Sequence, residues 1–498
     1  MACFIGVDIG TSSSKAVLVD EDGRILSRAV RRHPVLRARP GWAEHDPERH
    51  WWGDTVHLVR TLLDQADGRG QDVAAIGCSG VCPVVLPVDK DGQPLRPAIL
   101  YSIDTRALAE AQELERQLGR ERIVEDSGQP LSSQSVVPKL LWLRRHEPAV
   151  WARTHKILGA TGYLVFRLSG AMVVDPFTAG DGGLGYTLRS GQWNEALLAE
   201  IGLPADLFPR LAWPTEVVGT LQAEPARELG LPPGIPVVAG TGDALAEMVA
   251  AGVHRVGETA LLYGSTLTTM TVIDEPWLHP GFISVPGWRP GTWVTSAVLG
   301  TGAELLNWWS RVTARTMDEK FMRELDEAAA AVPPGAEGLT VIPYLTGQRS
   351  PQIRPHLRGA FLGMTPAHGF GHFARALMEG AGMALRACLA EIPEPWRPAQ
   401  VVAAGGGTAS RVFLQIVSDL CRIQQHVCDP SVNAALGSAM LAATAVGGHA
   451  GPDESLPRWA PVRETVTVDA AQASLYDAVY DRFRAALAAV AELPLGPV

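Results

Sequence analysis

Residues 4–19, FIGVDIGTSSSKAVLV, hold two apolar runs separated by a turn that begins with a carboxylate. The runs Phe4–Val7 and Lys15–Val19 are predicted strands, because apolar and β-branched residues favour extended structure. Between them lie Asp8, a glycine and the hydroxyl residues Thr11–Ser14. A simple hairpin needs only a short turn such as Asn-Gly. This composition therefore predicts a turn that binds an anionic group.

Length and charge limit the classes of protein to which the chain can belong. With 498 residues it is long enough for two or more domains. Its net charge of -10 argues against a nucleic acid or an anionic membrane as a partner. No apolar run reaches the roughly 18–20 residues that span a bilayer, and no signal peptide is visible. Because the six cysteines are sparse, we expect reduced thiols and a cytoplasmic protein.

Strand-like and helical segments alternate along the chain, which indicates an α/β fold. The opening pattern returns in residues 258–272, where Gly264, Ser265 and Thr266 separate two apolar runs. Two similar halves that face one cleft would produce this repeat. Two unrelated glycine–serine hairpins would produce it as well, and the pattern alone leaves both interpretations open.

A carboxylate near mid-chain is the candidate catalytic base. Asp243 follows a predicted strand, Pro236–Ala239, and a Gly-Thr-Gly turn, and it precedes a predicted helix, Ala244–Ala251. One interpretation is a helix cap. A carboxylate at a strand end also reaches the crevice where α/β sheets bind ligands, and there it could accept a proton from an attacking hydroxyl. We place the domain boundary here, which gives domains 1–240 and 241–498.

A third glycine-rich segment is a candidate ligand-binding turn. Gly405, Gly406 and Gly407 follow the predicted strand Gln400–Ala403 and open the predicted helix Arg411–Cys421. Glycine lets the backbone approach a flat or anionic ligand, and a helix N-terminus attracts negative charge. Neither GxxxxGK[ST] nor GxGxxG after the first strand is present, so the P-loop and dinucleotide-binding interpretations fail.

The hydroxyl-rich turns suit nucleotide phosphates. Asp8 is either a turn aspartate or a carboxylate beside Mg²⁺, which takes one or two carboxylates together with phosphate oxygens. In the second interpretation Thr11, Ser12 and Ser13 bind the β- and γ-phosphates, and the turn at 264–266 binds them from the opposite wall. Phosphoryl transfer needs positioning and charge stabilisation more than covalent help, and these groups meet that need.

Two further polar segments are weaker candidates for a sugar contact. Residues 42–47, WAEHDP, are polar and aromatic, but Asp46-Pro47 also fits a helix start. Asp104 could orient a polyol or pair with Arg106. No HExxH or GxSxG motif occurs, which disfavours a catalytic transition metal and an α/β-hydrolase.

Together these motifs resemble the FGGY family of carbohydrate kinases, and the similarity covers almost the whole chain. The matching segments are Asp8–Lys15, Gly240–Asp243, Gly264–Thr266, Pro343–Pro351, Arg358–Gly363, Gly405–Gly407 and Ala434–Ala439. The resemblance implies two ribonuclease-H-like domains of the actin and hexokinase type with the active site in the cleft between them. It also implies ATP-dependent phosphorylation of a sugar or polyol hydroxyl with Mg²⁺. The chain looks nearest to the xylulokinase-like members.

The resemblance gives each candidate residue a role. Asp243 would be the base, and Asp8 would lie at the metal. The sugar would contact Val81, Cys82, Asp104 and Asp243. The residues that bind ATP would be Thr11, Ser12, Ser13, Lys15, Gly264, Ser265, Thr266, Gly405, Gly406 and Gly407. The expected partners are a small sugar or polyol and a second copy of the chain.

Two departures from the family pattern bear on this assignment. Gln348 and Arg354 stand where members usually have acidic residues. Val81-Cys82-Pro83 follows Ser-Gly, where xylulokinases usually carry Gln-Met-His-Gly. We therefore expect a ketopentose or related polyol other than D-xylulose, with D-xylulose itself as the alternative. Glycerol or another polyol within the same family, and a non-kinase actin-like ATPase, are further alternatives.

Overall fold

The computed structural model describes residues 2–66, 68–264, 266–429, 431–447, 459 and 462–493. In the first half the strands are β1 (Cys3–Ile9), β2 (Ser13–Asp20), β3 (Ile25–Arg32), β4 (Glu44–His45), β5 (Val73–Gly80), β6 (Leu86–Val88), β7 (Ala98–Ile99), β8 (Lys156–Leu158), β9 (Val173–Val174), β10 (Tyr186–Thr187), β11 (Gln192–Trp193), β12 (Arg210–Leu211), β13 (Val217–Thr220), β14 (Pro236–Val238) and β15 (Thr241–Gly242). The α-helices there are α1 (Gly53–Gln65), α2 (Leu108–Leu118), α3 (Arg120–Ser127), α4 (Val136–His146), α5 (Pro148–Arg153), α6 (Ala160–Ser169), α7 (Pro176–Asp181), α8 (Glu195–Glu200), α9 (Ala223–Leu229) and α10 (Asp243–Ala250).

The second half continues with its own strands and helices. The strands are β16 (Thr259–Tyr263), β17 (Leu267–Ile273), β18 (Ile283–Pro286), β19 (Trp293–Leu299), β20 (Thr340–Ile342), β21 (Ala360–Leu362), β22 (Gln400–Ala404), β23 (Gln424–Cys428) and β24 (Val462–Val466). The α-helices are α11 (Ala303–Val312), α12 (Glu319–Ala330), α13 (Phe370–Glu391), α14 (Arg411–Cys421), α15 (Ala434–Ala445) and α16 (Ala470–Ala491).

The two halves share one topology around their glycine–hydroxyl turns. The first sheet is ordered β13-β14-β5-β1-β2-β3, with β15 also paired to β5, and the second is ordered β18-β19-β17-β16-β22-β23-β24. In each sheet an antiparallel hairpin, β1–β2 or β16–β17, has a parallel neighbour on its other side, β5 or β22. The repeat that the sequence left open is therefore a structural repeat.

Strand β1 is buried along its whole length because apolar cores cover both of its faces. Ile5 and Val7 pack into a core that includes Leu58 of α1. Phe4, on the opposite face, packs into a second core with Leu436 of α15. The continuous apolar run of the sequence thus becomes a central strand whose C-terminal end carries the first turn.

Helix α15 of the second half lies directly on the first sheet, with glycines at the contact. A β-carbon added at Gly6 of β1 would lie 1.9 Å from the Ala435 carbonyl oxygen, and one added at Gly77 of β5 would lie 2.1 Å from that of Ser438. No side chain separates the backbones there. The two halves are therefore joined by close backbone packing.

Most of the predicted elements are found near their expected bounds. Helix α14 has the predicted limits, and α10 begins at Asp243, one residue before the prediction. Asp46 accepts hydrogen bonds from the amides of Glu48 and Arg49, so the helix-start interpretation of residues 42–47 is confirmed. The domain boundary at residue 240 stays a prediction. Strand β15, which lies just beyond it, pairs with β5 of the first sheet.

Two further sequence-based expectations concern cysteines and membranes. All six cysteines are free thiols, in agreement with the reduced state expected from the sequence. Among the residues that the structure describes, no helix combines the length and the apolar character needed to cross a bilayer.

Candidate active site

The first candidate phosphate turn connects β1 to β2. The amide of Gly10 donates to the carbonyl of Ser13 at 3.0 Å and closes the turn. Ser12 is exposed and Thr11 is half-buried. The Thr11 hydroxyl lies 3.0 Å from the hydroxyl of Tyr101. The turn therefore presents polar groups at the surface of the first half, as a phosphate site requires.

Asp8 lies on β1 immediately before this turn. It is almost fully buried, and the Ser79 hydroxyl donates to its Oδ1 at 3.0 Å. Lys15 is its direct cross-strand partner, so both side chains project from the same face of the hairpin. Burial raises the pKa of Asp8, while the charge of Lys15 and the Ser79 hydrogen bond counteract this rise. Asp8 and Lys15 thus lie side by side next to the turn.

The second turn connects β16 to β17 and mirrors the first. The amide of Gly264 donates to the carbonyl of Thr266 at 3.0 Å, and its carbonyl accepts from the amide of Ala303 at 3.0 Å. Thr266 is half-buried. Ser265 lies outside the described residues, so its predicted contact stays a prediction.

The third turn lies beside the second because β22, which it follows, pairs in parallel with β16. Gly405 has a φ of +97°, and a β-carbon there would lie 2.7 Å from the carbonyl of Tyr263, so this position requires glycine. A β-carbon at Gly406 would meet nothing within 4 Å, and Gly406 is exposed. Gly407 packs against Tyr263. Open space therefore borders the backbone at Gly406.

Asp243 is the first residue of α10 and is only partly exposed. Its Oδ1 accepts from the amide of Ala244 at 2.9 Å. Burial raises the pKa of Asp243 to about 8, and the charges of Asp8, Glu247 and Asp181 add to the rise. Ser79 of β5 pairs with Asp8 of β1 on one side and with Thr241 of β15 on the other, so the sheet brings Asp8 close to the start of α10. A carboxylate whose pKa lies near neutrality is suited to general-base catalysis.

Asp181 is a site residue that sequence reasoning missed. Cys82 Sγ lies 3.7 Å from Asp181 Oδ2 and 4.0 Å from Asp243 Oδ1, so the thiol bridges the two carboxylates. Gln134 donates to Asp181 Oδ1 at 2.8 Å. Burial raises the pKa of Asp181 to about 6. The glycines around it, Gly180-Asp181-Gly182-Gly183, were the local signal that could have marked this carboxylate.

Two of the predicted sugar contacts, Asp104 and Val81, have buried side chains, and their contact with a sugar stays a prediction. Asp104 is fully buried, where it accepts from the amide of Ala43 at 2.7 Å and from the Arg106 guanidinium at 2.7 to 3.0 Å. Its acceptor capacity is used internally, so the ion-pair alternative describes it. Val81 is 3% exposed and belongs to the apolar core of the first half. Of the segment 81–83, Cys82 is the residue that reaches Asp243.

Gln348 and Arg354 replace the acidic residues usual in the family, and they lie opposite each other in one loop. Their backbones exchange hydrogen bonds at 3.0 and 2.8 Å. The buried Gln348 amide also donates to the Tyr344 hydroxyl and the Ser350 carbonyl, both at 3.3 Å. The Gln348 side chain therefore acts in the local fold of this loop.

The carboxylates do not form a complete metal cage. Within the ranges that the structure describes, no three histidine, cysteine, aspartate or glutamate side chains are grouped to hold a metal ion by themselves. Mg²⁺ differs from such ions because it usually keeps several waters and binds one or two carboxylates with substrate phosphates. Asp8 beside a phosphate turn matches that donor set.

Two family models together match most of the chain. The N-terminal domain of the FGGY family of carbohydrate kinases matches residues 3–250, and its C-terminal domain matches residues 260–446. Xylulose kinase of Escherichia coli (strain K12) is 30% identical over 491 residues, 97% of this chain and 98% of that protein. Gluconokinase of Bacillus subtilis (strain 168) is 26% identical over 454 residues, 89% of this chain and 88% of that protein. The crystal structure of xylulose kinase from Rhodospirillum rubrum has a TM-score of 0.91 and 32% identity, covering 98% of this chain and 99% of that one.

Proposed function

The chain belongs to the FGGY family of carbohydrate kinases, and from that premise we propose that it transfers the γ-phosphate of ATP to a hydroxyl of a ketopentose or a related sugar or polyol. The observation that carries this proposal is Asp243, whose pKa is raised to about 8 beside Asp8 and the first phosphate turn. The non-kinase actin-like ATPase is wrong as an alternative, because both halves match a carbohydrate-kinase family. A cytoplasmic location and a homodimer stay predictions.

The nucleotide would lie against the three glycine-containing turns. The turns at 10–13 and 264–266 supply hydroxyl and amide groups for the phosphates, and Lys15 adds a positive charge beside Asp8. The open space at Gly406 suits the adenosine. This arrangement supports the assigned roles of Thr11, Ser12, Ser13 and Thr266.

Mg²⁺ fits the residues on the first sheet. Asp8 offers carboxylate oxygens, the donors that Mg²⁺ prefers, and the repulsion between Asp8 and Asp243 is what a neighbouring cation would relieve. When bound, the ion would neutralise charge on the phosphates. Asp8 is therefore the residue that we assign to it.

Asp243 acts as the base on the acceptor hydroxyl. In the ionised form its carboxylate accepts the proton as the hydroxyl oxygen attacks the γ-phosphorus atom. The backbone amide of Ala244 holds Oδ1 in place. Because a general base works best when its pKa is near the operating pH, the raised pKa of Asp243 favours this role.

The acceptor pocket would differ from that of a typical xylulokinase at Cys82. The thiol is a weak hydrogen-bond partner compared with an amide or an imidazole. A site that hydrogen-bonds a given hydroxyl discriminates strongly, whereas an apolar wall discriminates by roughly 10–200-fold per methylene-sized difference. The neighbouring Asp181 adds a carboxylate that disfavours acidic acceptors such as aldonates. We therefore propose a neutral ketopentose or polyol, with D-xylulose as the alternative acceptor.

A substrate panel tests this function. ADP release is coupled to NADH oxidation and measured with D-xylulose, other ketopentoses, aldoses, pentitols, glycerol and D-gluconate, with the Asp243→Asn variant as the matched control. We expect sugar-dependent ADP release that the variant lacks. We also expect kcat/KM for another neutral acceptor of the panel to exceed that for D-xylulose. The highest kcat/KM for D-xylulose by a clear margin would contradict the acceptor proposal. No sugar-dependent release with any acceptor would contradict the function itself.

A further inference from the structure

Two buried histidines contact the carbonyl oxygens of the first phosphate turn from the side of the protein interior. His33 Nε2 lies 3.0 Å from the Gly10 carbonyl oxygen, and His45 Nε2 lies 3.0 Å from that of Thr11. The backbone amide of His33 also donates to the carbonyl of Ser12 at 3.0 Å. With the bond from Gly10 to Ser13, the carbonyls of residues 10–13 are all engaged by protein donors. The proposed function uses none of these histidines.

Neighbouring groups orient both rings and set the tautomer of His45. The Trp51 indole donates to His45 Nδ1 at 3.1 Å, so the proton of this ring is on Nε2, which donates to Thr11. Burial lowers the pKa of His45 to about 4, and the ring is neutral. His33 Nδ1 lies 2.8 Å from Asp54 Oδ2 and its Nε2 lies 3.0 Å from the Gly10 carbonyl oxygen, so both ring nitrogens of His33 face acceptors.

Asp54 is in turn held by the strands of the sheet. Ser14 of β2 donates to its Oδ2 at 2.9 Å, and Arg31 of β3 pairs with its Oδ1 at 3.2 Å. The turn is thus linked through His33 to helix α1, which carries Asp54. These bonds leave the turn little freedom to rotate its peptide planes.

The orientation of those planes decides whether the turn can bind an anion. Backbone N–H groups that converge on one side form an anion site, whereas carbonyl oxygens on that side would repel phosphate. Donors that hold the carbonyls on the interior side keep the opposite side available for N–H groups. We propose that His33 and His45 are positioning residues that hold the first turn in its phosphate-binding conformation. This inference rests on the proposed function, because it requires the turn to bind nucleotide phosphates.

The test compares His45 with His50, a third buried histidine of the same cluster. His50 stacks on His33 with ring centroids 5.4 Å apart, yet its side chain bonds the amide of Asp46 and no carbonyl of the turn. His45→Leu and His50→Leu each remove one buried imidazole. Affinity for Mg·ADP is measured by calorimetry, KM for ATP and for the acceptor by steady-state kinetics, and folding by thermal denaturation.

We expect His45→Leu to weaken Mg·ADP binding about fivefold and to raise KM for ATP, with KM for the acceptor nearly unchanged, since a buried hydrogen bond is worth about 1 kcal/mol. His50→Leu should lower the melting temperature similarly and keep the nucleotide affinity. His45→Gln should restore binding, because its amide can donate to Thr11 and accept from Trp51. The inference would be overturned if folded His45→Leu bound Mg·ADP as tightly as the wild type. It would also be overturned if His50→Leu lost as much Mg·ADP affinity as His45→Leu.

A milder variant covers the case in which His45→Leu does not fold. Trp51→Phe keeps an aromatic ring at this position and removes the indole N–H donor that sets the His45 tautomer. It should weaken Mg·ADP binding by a smaller factor, and unchanged affinity would contradict the positioning role. Failure of the wild-type enzyme to bind Mg·ADP would instead refute the proposed function, so the two failures are distinguishable.

Discussion

Asp8 and Asp243 come from elements nearly half the chain apart, yet the charge of Asp8 contributes to the raised pKa of Asp243. Asp8 lies on the central strand β1, and Asp243 begins helix α10. Glu247 lies one helical turn beyond Asp243, and its own pKa is raised by burial and by Asp8. The site therefore concentrates negative charge where a phosphoryl group and a cation would be expected.

Replacing the base should remove catalysis and leave the fold intact. Asn at position 243 matches the carboxylate in shape but cannot accept a proton, and loss of a general base typically costs about 10²–10⁴ in rate. Coupled ADP release should fall by this factor in Asp243→Asn, with ATP affinity nearly unchanged by calorimetry. Near-normal turnover would leave Asp243 as a helix cap.

The same substitution should stabilise the protein at high pH. The pKa of Asp243 in the folded protein, about 8, lies above its ordinary value, so the folded state favours the protonated carboxyl. The free energy of unfolding therefore falls progressively as pH rises from about 4 to 8. Asn carries no such cost. The melting temperature of Asp243→Asn should therefore exceed that of wild type by a few degrees at pH 8.5 and by less at pH 4.5. A difference in melting temperature that stays constant across this pH range would argue against a raised pKa for Asp243.

Glu247 should tune the pH dependence of the reaction. Its negative charge contributes to the raised pKa of Asp243, so Glu247→Gln should lower that pKa. The base is active when ionised, and kcat/KM at subsaturating nucleotide should rise through pH 8 in the wild type and at lower pH in the variant. The control is Glu319→Gln, at an exposed position on α12. If the pH profiles of Glu247→Gln and the wild type were identical, the charge of Glu247 would have no effect on the pKa of the base.

Gly406 provides a test of the adenosine site. A β-carbon at Gly406 meets no protein atom within 4 Å, so Gly406→Val should fold normally while its side chain enters the space assigned to the nucleoside. ATP binding should weaken by about tenfold or more, equivalent to 1.4 kcal/mol, with little change in KM for the sugar. Calorimetry that shows unchanged ATP affinity would place the adenosine elsewhere.

The junction of the two halves should be sensitive to a single methyl group. A β-carbon at Gly437 of α15 would lie 1.8 Å from the backbone carbonyl oxygen of Ala246 on α10, the helix that begins with Asp243. Gly437→Ala should cost about 1–3 kcal/mol of unfolding free energy and lower kcat, because α10 must shift. The control Gly369→Ala adds a methyl group where nothing lies within 4 Å. Equal denaturant midpoints for the two variants would contradict this packing.

The sequence by itself determined the strands, the turns and the family. The apolar runs around Asp8, the glycines at 405–407 and the strand–turn–helix at Asp243 predicted elements that the structure contains. These signals are local, because backbone preferences and turn chemistry depend on a few neighbouring residues. The order of the motifs along the chain, combined with their similarity to one family, then indicated the two-domain fold and the reaction.

Only the tertiary structure decided which side chains face the site. The sequence left Asp104 as either a polyol contact or an ion-pair partner of Arg106, and in the structure Arg106 and the amide of Ala43 occupy its oxygens. Asp181 and His45 were not identified as site residues from the sequence, yet one lies beside Cys82 and the other contacts the Thr11 carbonyl of the first turn. Such partnerships join segments that are distant in sequence. Their geometry is set by how the sheets and helices pack, which no local pattern of residues encodes.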